Sequence, residues 1–173
     1  MFHPLRLSIR HLLLTVPLAT ALLVLPAIPA SADTPQANLD CTFTTTQNIT
    51  PPISPEFGPF AESTHGLTGT ATCTGTVDGQ TVTGTGTVAL SAAGSADCTT
   101  GSGSGTFILQ IPTTGGTKTV TGRFDFTFSN VPGGPATVTG DLTGTSTIIS
   151  AVGDCVNTPI SQITTRLDVH VST

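Results

Sequence analysis

Few side chains in this sequence can do acid–base, nucleophilic or metal chemistry, so their positions are quickly followed. Beyond residue 32 the histidines are His65 and His170. Asp168 and His170 stand two apart and share a face if the segment is a strand, while Glu62 and His65 flank the exit of a Pro-rich stretch. A carboxylate beside an imidazole suits zinc and similar cations, and equally a general acid or base. Neither pair has a spacing that enforces this, however. An acid and a histidine three apart need a helix to align them, and Asp-x-His arises readily on any polar strand face. Glu62, His65, Asp168 and His170 therefore read as solvated surface, with no catalytic, metal-binding or cofactor-binding residue assigned. Serines abound, yet none sits in a GxSxG elbow that would activate it. Gly101-Ser102-Gly103-Ser104-Gly105 has the composition of a phosphate-cradling loop, but neither a helix nor Lys-Ser/Thr follows it.

Cysteine is the other reactive type. Cys41, Cys73, Cys98 and Cys155 form an even set with no CxxC or CxH spacing, which in an exported chain reads as two disulfides with three possible connectivities. Export is expected from the N-terminus. Arg6 and Arg10 precede an apolar run from Leu12 to Leu25, followed by the small-x-small triplet Ala30-Ser31-Ala32. Cleavage is expected after Ala32, with Ala30 as second choice. The run is short for a bilayer span, the arginines are not adjacent, and no lipid-accepting cysteine follows. Leu167 to Thr173 has neither an apolar tail nor a sorting signal. The expectation is residues 1–32 as signal peptide and 33–173 as a single β domain, secreted as a free protein.

Past residue 32 only Lys118, Arg123 and Arg166 are basic against ten acids, a net charge of −7. Three cations release too few counterions to hold a phosphate backbone, so nucleic acid and anionic membrane surfaces are poor partners. The chain has no Trp and no Tyr, and so lacks the flat aromatic platforms on which sugars stack. Phe57 and Phe60 are the exceptions to an otherwise inward set of phenylalanines. They lie in Pro51-Pro52-Ile53-Ser54-Pro55-Glu56-Phe57-Gly58-Pro59-Phe60, within a Pro-rich loop expected over 47–65 that would dock a partner or cover one end of the core.

The elements that must position these residues are strands. Threonine supplies 34 of the residues after residue 32, and β-branched side chains suit a pleated, half-exposed surface rather than a helix. From Leu67 to Leu90, Leu, Gly, Ala, Cys and Val alternate with Thr on both sides of Asp78-Gly79, a two-residue hairpin signal. Folding there sets Thr76 against Thr81, Thr74 against Thr83, Thr72 against Thr85, Thr70 against Thr87 and Gly69 under Val88. A second hairpin, across Pro112–Thr117, sets Phe107 over Gly122, Gly105 under Phe124 and Gly103 under Phe126. Large-against-small pairing of this kind fills the concave side of a curved sheet. After a turn at Val131–Pro135, one strand is expected to carry Val138, Gly140, Leu142, Gly144 and Ile148 inward. The last strand carries Ile163, Thr165, Leu167, Val169 and Val171, and the first Leu39, Cys41 and Phe43.

About seven strands in meander order make an all-β fold, an antiparallel barrel or a two-sheet sandwich, with no substantial helix. Val88–Gly94 with Asp97-Cys98 is weakly echoed by Ile148–Gly153 with Asp154-Cys155. With seven strands in strict meander, the loops holding Cys98 and Cys155 lie at opposite ends, which favours pairing each with an inward cysteine. The export signal, Cys41-Thr42-Phe43-Thr44-Thr45-Thr46, the Thr/Gly tract from Thr68 to Val88 and Phe124-Asp125-Phe126-Thr127-Phe128 together resemble small secreted Thr/Gly-rich β proteins of actinobacteria. That resemblance implies secretion and a β fold and contributes no catalytic residue. The leading expectation is a non-catalytic extracellular or cell-surface interaction module with a protein partner. The alternatives are a barrel that binds a small apolar ligand and, after it, a secreted hydrolase.

Overall fold

Alternation of apolar and Thr side chains runs almost without interruption along the chain, and it produces strands throughout. The computed structural model describes residues 35–129 and 134–173, all within the second of the two units into which the chain divides, Asp33–Thr173. The expected signal segment and residues 131–133 of the expected turn lie outside the described residues. Among the described residues there is no helix, and none long and apolar enough to cross a membrane. The strands are β1 (Ala37–Ile53), β2 (Gly58–Thr64), β3 (Gly69–Val77), β4 (Gln80–Thr81), β5 (Gly86–Ala96), β6 (Thr100–Thr113), β7 (Gly116–Ser129), β8 (Ala136–Gly140), β9 (Leu142–Val152) and β10 (Ile160–Ser172).

Every ladder is antiparallel and the sheet closes on itself. From β5 the order runs through β6, β7, β8, β9 and β10 and returns to β1, with Leu39 opposite Val171 and Phe43 opposite Leu167. Between β1 and β5 a single place in the wall is shared by two strands, one above the other. The first half of β1 pairs with β3 (Cys41 opposite Cys73) and its second half with β2 (Gln47 opposite Thr64). Correspondingly, β5 begins on β3 and ends on β2. The wall therefore has eight places around it, the size at which an antiparallel barrel is just filled by side chains or holds one small ligand. Closure decides for the barrel over the two-sheet sandwich.

The lower end carries the turns at Asp78-Gly79, Thr114-Gly115 and Gly140-Asp141. Leu39, Phe43, Val77, Val88, Leu109, Ile111, Val120, Leu142 and Val171 pack it solid, all inaccessible to solvent. Burying side chains of this size stabilises by about 1.5–3 kcal/mol each. Space for the phenylalanines comes from glycines on the neighbouring strand. A Cβ on Gly105 would lie 2.6 Å from Phe124 Cζ, and one on Gly103 would lie 2.8 Å from Phe126 Cζ.

Both hairpins have the register that the sequence dictates. Thr76 faces Thr81, Thr70 faces Thr87 and Gly69 faces Val88, with Asp78 (φ 50°) and Gly79 (φ 73°) turning the chain. In between, Val82 keeps an N–H bond to Gly75 O (3.1 Å) while bridging to Thr113, and residues 83–85 leave the ribbon, the Thr83 N–H bonding Pro112 O at 3.0 Å, so the expected Thr74–Thr83 and Thr72–Thr85 pairs do not form. In the second hairpin Phe107 faces Gly122, Gly105 faces Phe124 and Gly103 faces Phe126.

Three expectations need correction. There are ten strands rather than about seven. The stretch 47–65 is no loop, because β1 runs to Ile53 and β2 starts at Gly58, leaving a turn only at residues 54–57. The expected strand from Val138 to Ile148 is two strands folded back at Gly140-Asp141. Gly140 has φ +104°, the Asp141 N–H donates to Arg123 O (2.9 Å), and the Asp141 carboxylate accepts from the Arg123 N–H (2.8 Å), which holds the reversal in place.

That extra strand also corrects the cysteines. The bonds are Cys41–Cys73, between paired residues of β1 and β3, and Cys98–Cys155. One more reversal puts the loops after β5 and β9 at the same, upper end, where an odd number of strands between them would have separated them. Since β5 and β9 stand four places apart in the ring of eight, Cys98–Cys155 ties opposite sides of the upper end together. The two echoed segments are the two it joins. In each, the aspartate before the cysteine caps its own turn. Asp97 accepts from Thr99 and Thr100, and Asp154 from Asn157 and Thr158, which lowers both carboxyls, Asp154 to about 2.

Candidate functional site

The upper half of the barrel is hollow. A cavity of about 90 Å³ opens there, walled by Phe60 of β2, Phe124, Phe126 and Phe128 of β7, and aliphatic groups that include Leu90, Val138, Ile148 and Leu167. Phe126 sits at the centre of the ring cluster, its centroid 6.1 Å from that of Phe60 and 6.4 Å from that of Phe124, both tilted. A void needs only about 10–15 Å³ to admit a water, and apolar cavities of about 150 Å³ take up benzene. The space lies between these two, and it suits a molecule of a few carbon atoms or one end of a longer one.

Three polar side chains of the lining, Gln47, Glu62 and Thr165, form with Thr45 one chain of contacts, and Ser146 of β9 adds a separate hydroxyl to the wall. On β1 the alternation Phe43, Thr45, Gln47, Ile49 continues inward past the disulfide, and on β2 it is Phe60, Glu62, Thr64. Thr165 Oγ1 donates to Gln47 Oε1 (3.1 Å), so its 3.0 Å contact with Thr45 Oγ1 is one in which Thr45 donates. With its oxygen engaged, Gln47 presents its amide nitrogen to Glu62 Oε1, at a long 3.4 Å. Glu62 Oε2 has no partner among the described residues and keeps some accessible surface, and the residue lines the cavity.

Burial among these apolar groups pushes the Glu62 carboxyl up from 4.5 to about 7. The residue keeps partial contact with solvent, and desolvation of its carboxyl by the surrounding protein is what raises its proton affinity. Among the described residues Glu62 is the only titratable side chain lining the cavity. Arg123 and Asp125 on β7, and Arg166 and Asp168 on β10, alternate to the outer face.

The pairs considered from sequence are not brought together. Glu62 points inward, whereas His65, three residues on, is exposed in the turn after β2. Asp168 and His170 do share the outer face of β10, but each has its own neighbour. His170 Nδ1 meets Asp40 Oδ1 across the ladder at 2.9 Å, and Asp168 accepts from Arg166 (3.1 Å) and from Thr42 (2.7 Å), which lowers its carboxyl. Among the described residues no three His, Cys, Asp or Glu gather as a metal site, and neither histidine bonds a serine. Phe57 and Phe60 separate as well: Phe57 is 62% exposed at the turn, and Phe60 is a wall of the cavity.

Sequence reasoning passed over Gln47 and Thr45. The signal that finds them is the unbroken alternation from Leu39 through Gln47, which the Pro-rich composition immediately downstream masked. Comparison of the chain with protein-family models, with curated proteins and with solved structures gives no match.

Proposed function

We propose that the chain is a secreted β-barrel, released after signal cleavage at Ala32, that binds a small apolar molecule in the upper half of its interior. The observation that carries this reading is the asymmetry of the core. The lower half is packed to exclusion of solvent, while the upper half keeps a cavity of about 90 Å³ walled by four phenylalanines. Ligand sites of this type are concave and mostly apolar, with a few convergent polar groups that fix orientation, which is how Glu62, Gln47 and Thr165 stand. Two disulfides fit an oxidising compartment, in which such a carrier would remain folded.

The test is a thermal-unfolding titration with pentane, toluene and butanol. A ligand that binds only the folded state raises the melting temperature with concentration. Wild type is expected to respond, and Ala136→Phe, which places a ring in the cavity, is not. Absence of any response in wild type at saturating probe overturns the reading.

A second reading, a non-catalytic interaction module, is favoured by a different observation. Phe57, Ile149, Val152 and Val156 are exposed apolar residues of β9 and the upper turns, 55% to 72% accessible. They give a protein partner an apolar rim around the cavity end. Phe57→Ser together with Val156→Ser would abolish such docking and leave the probe titrations unchanged.

A further inference from the structure

Resting on the cavity reading, we infer that the ligand is a small organic amine, bound as its ammonium ion between the Glu62 carboxylate and the phenylalanine rings of the upper chamber. Three features of the chamber converge on this class. First, among the described residues the one ionisable group lining it is an acid, so the charge that lining offers is negative. Second, among the described residues one carboxyl oxygen, Oε2, is without a protein partner and keeps some accessible surface on this cavity-lining residue, while the other is met by the 3.4 Å contact from Gln47. Gln47 cannot turn to satisfy it further, because its own oxygen is held by Thr165, which is held in turn by Thr45. Third, the walls are aromatic. The faces of Phe60, Phe124, Phe126 and Phe128 carry the negative part of the ring quadrupole, which attracts a cation, most strongly where water is excluded.

A neutral hydrocarbon would fill the space but leave the carboxyl unmatched, and an anion would meet a like charge with no cation in reach. An alcohol would find an acceptor in Glu62 yet draw nothing from the ring faces. An ammonium ion with a short apolar tail satisfies all of them. Its N–H groups donate to Oε2, its charge lies against the rings, and its carbon chain replaces the empty apolar volume.

Binding then couples to protonation with a defined sign. The amine stays charged across the neutral range, having a pKa near that of lysine, about 10.4. Glu62 must lose its proton to form the ion pair, and burial holds that proton until about pH 7. Affinity should rise close to tenfold per pH unit from pH 5 to about 6.5 and level off above pH 7. Among the described residues no other titratable group lines the cavity with Glu62. β1 and β5, the strands paired to β2, present Gln47 and Leu90 to the cavity, and the lining residues of β7, β8, β9 and β10 are uncharged.

The experiment uses the folded, disulfide-bonded protein and two matched probes, butylammonium and butanol, in calorimetric titrations at pH 5, 6, 7 and 8. Wild type is expected to prefer butylammonium at pH 8, with the preference shrinking toward pH 5. Glu62→Gln should lose roughly ten- to a hundredfold in butylammonium affinity, keep its butanol affinity, and lose the pH dependence. Phe60→Leu, which keeps the apolar contact and removes a ring face, should weaken butylammonium more than butanol. Equal affinity for the two probes at pH 8, or an unchanged ammonium affinity in Glu62→Gln, overturns this inference and leaves the cavity reading intact. Failure of both probes at every pH overturns the cavity reading with it.

Discussion

Replacing Glu62 with glutamine tests the chamber without any ligand. In the unfolded chain this carboxyl ionises around pH 4.5, and in the folded barrel around pH 7, because burial disfavours the charged form. Below pH 4.5 both states hold the proton and Glu62 imposes no penalty. Between pH 4.5 and 7 the unfolded chain releases it while the folded one retains it, so stability falls as pH rises. Above pH 7 both are ionised and the loss is complete. A pKa difference of about 2.5, at about 1.36 kcal/mol for each, makes that loss roughly 3 kcal/mol. Glu62→Gln keeps the shape and removes the charge, so its stability should match wild type at pH 4 and exceed it by roughly 3 kcal/mol at pH 8. Urea unfolding followed by circular dichroism is the assay, since the chain has no Trp or Tyr to report by fluorescence. The capped surface aspartates Asp78, Asp97, Asp154 and Asp168 are lowered instead, so their contribution is lost only below about pH 4 and does not overlap this window. Wild-type and Glu62→Gln curves that run parallel from pH 5 to pH 8 would refute the placement of this carboxyl in an apolar chamber.

Two further outcomes follow from the wall of the barrel. Gly105→Val puts a Cβ 2.6 Å from both Phe124 Cζ and Ser91 O, and overpacking of this kind costs about 1–3 kcal/mol. The outward Thr106→Val should stay within about 0.5 kcal/mol, and similar urea midpoints for the two variants would contradict the large-against-small packing. Removing the tie across the upper end with Cys98→Ser and Cys155→Ser frees residues 57 apart in sequence, which in the chain-entropy account lowers stability by roughly 4 kcal/mol. A loss under about 1 kcal/mol in the same unfolding assay would mean that the β5 and β9 loops are held together without the bond.

Much of this molecule is written locally. A strand shows its two faces at a period of two, so inward sets such as Leu39-Cys41-Phe43 and Ile163–Val171 are legible wherever apolar and polar residues alternate. Hairpin register is equally local, because a two-residue turn at Asp78-Gly79 sets the pairing that follows from it, and the structure holds that register at both ends although residues 83–85 leave the ribbon. The all-β class and the presence of two disulfides follow from the same kind of information. What local pattern could not supply was parity. The reversal at Gly140-Asp141 leaves the alternation of Val138, Gly140, Leu142 and Gly144 undisturbed, so nothing in the period marks it. It is secured by two hydrogen bonds between Asp141 and Arg123, eighteen positions away, at 2.8 and 2.9 Å. Missing it reversed the expected end for Cys155 and hid the Cys98–Cys155 bond. The chamber is a tertiary fact for a similar reason. Glu62, Gln47 and Thr165 come from three neighbouring strands that the long-range β1–β10 pairing brings side by side, and it is closure of the wall around them that removes water and raises the Glu62 carboxyl. Sequence fixes which face a residue takes; the burial that gives that face its chemistry depends on what the closed wall places opposite.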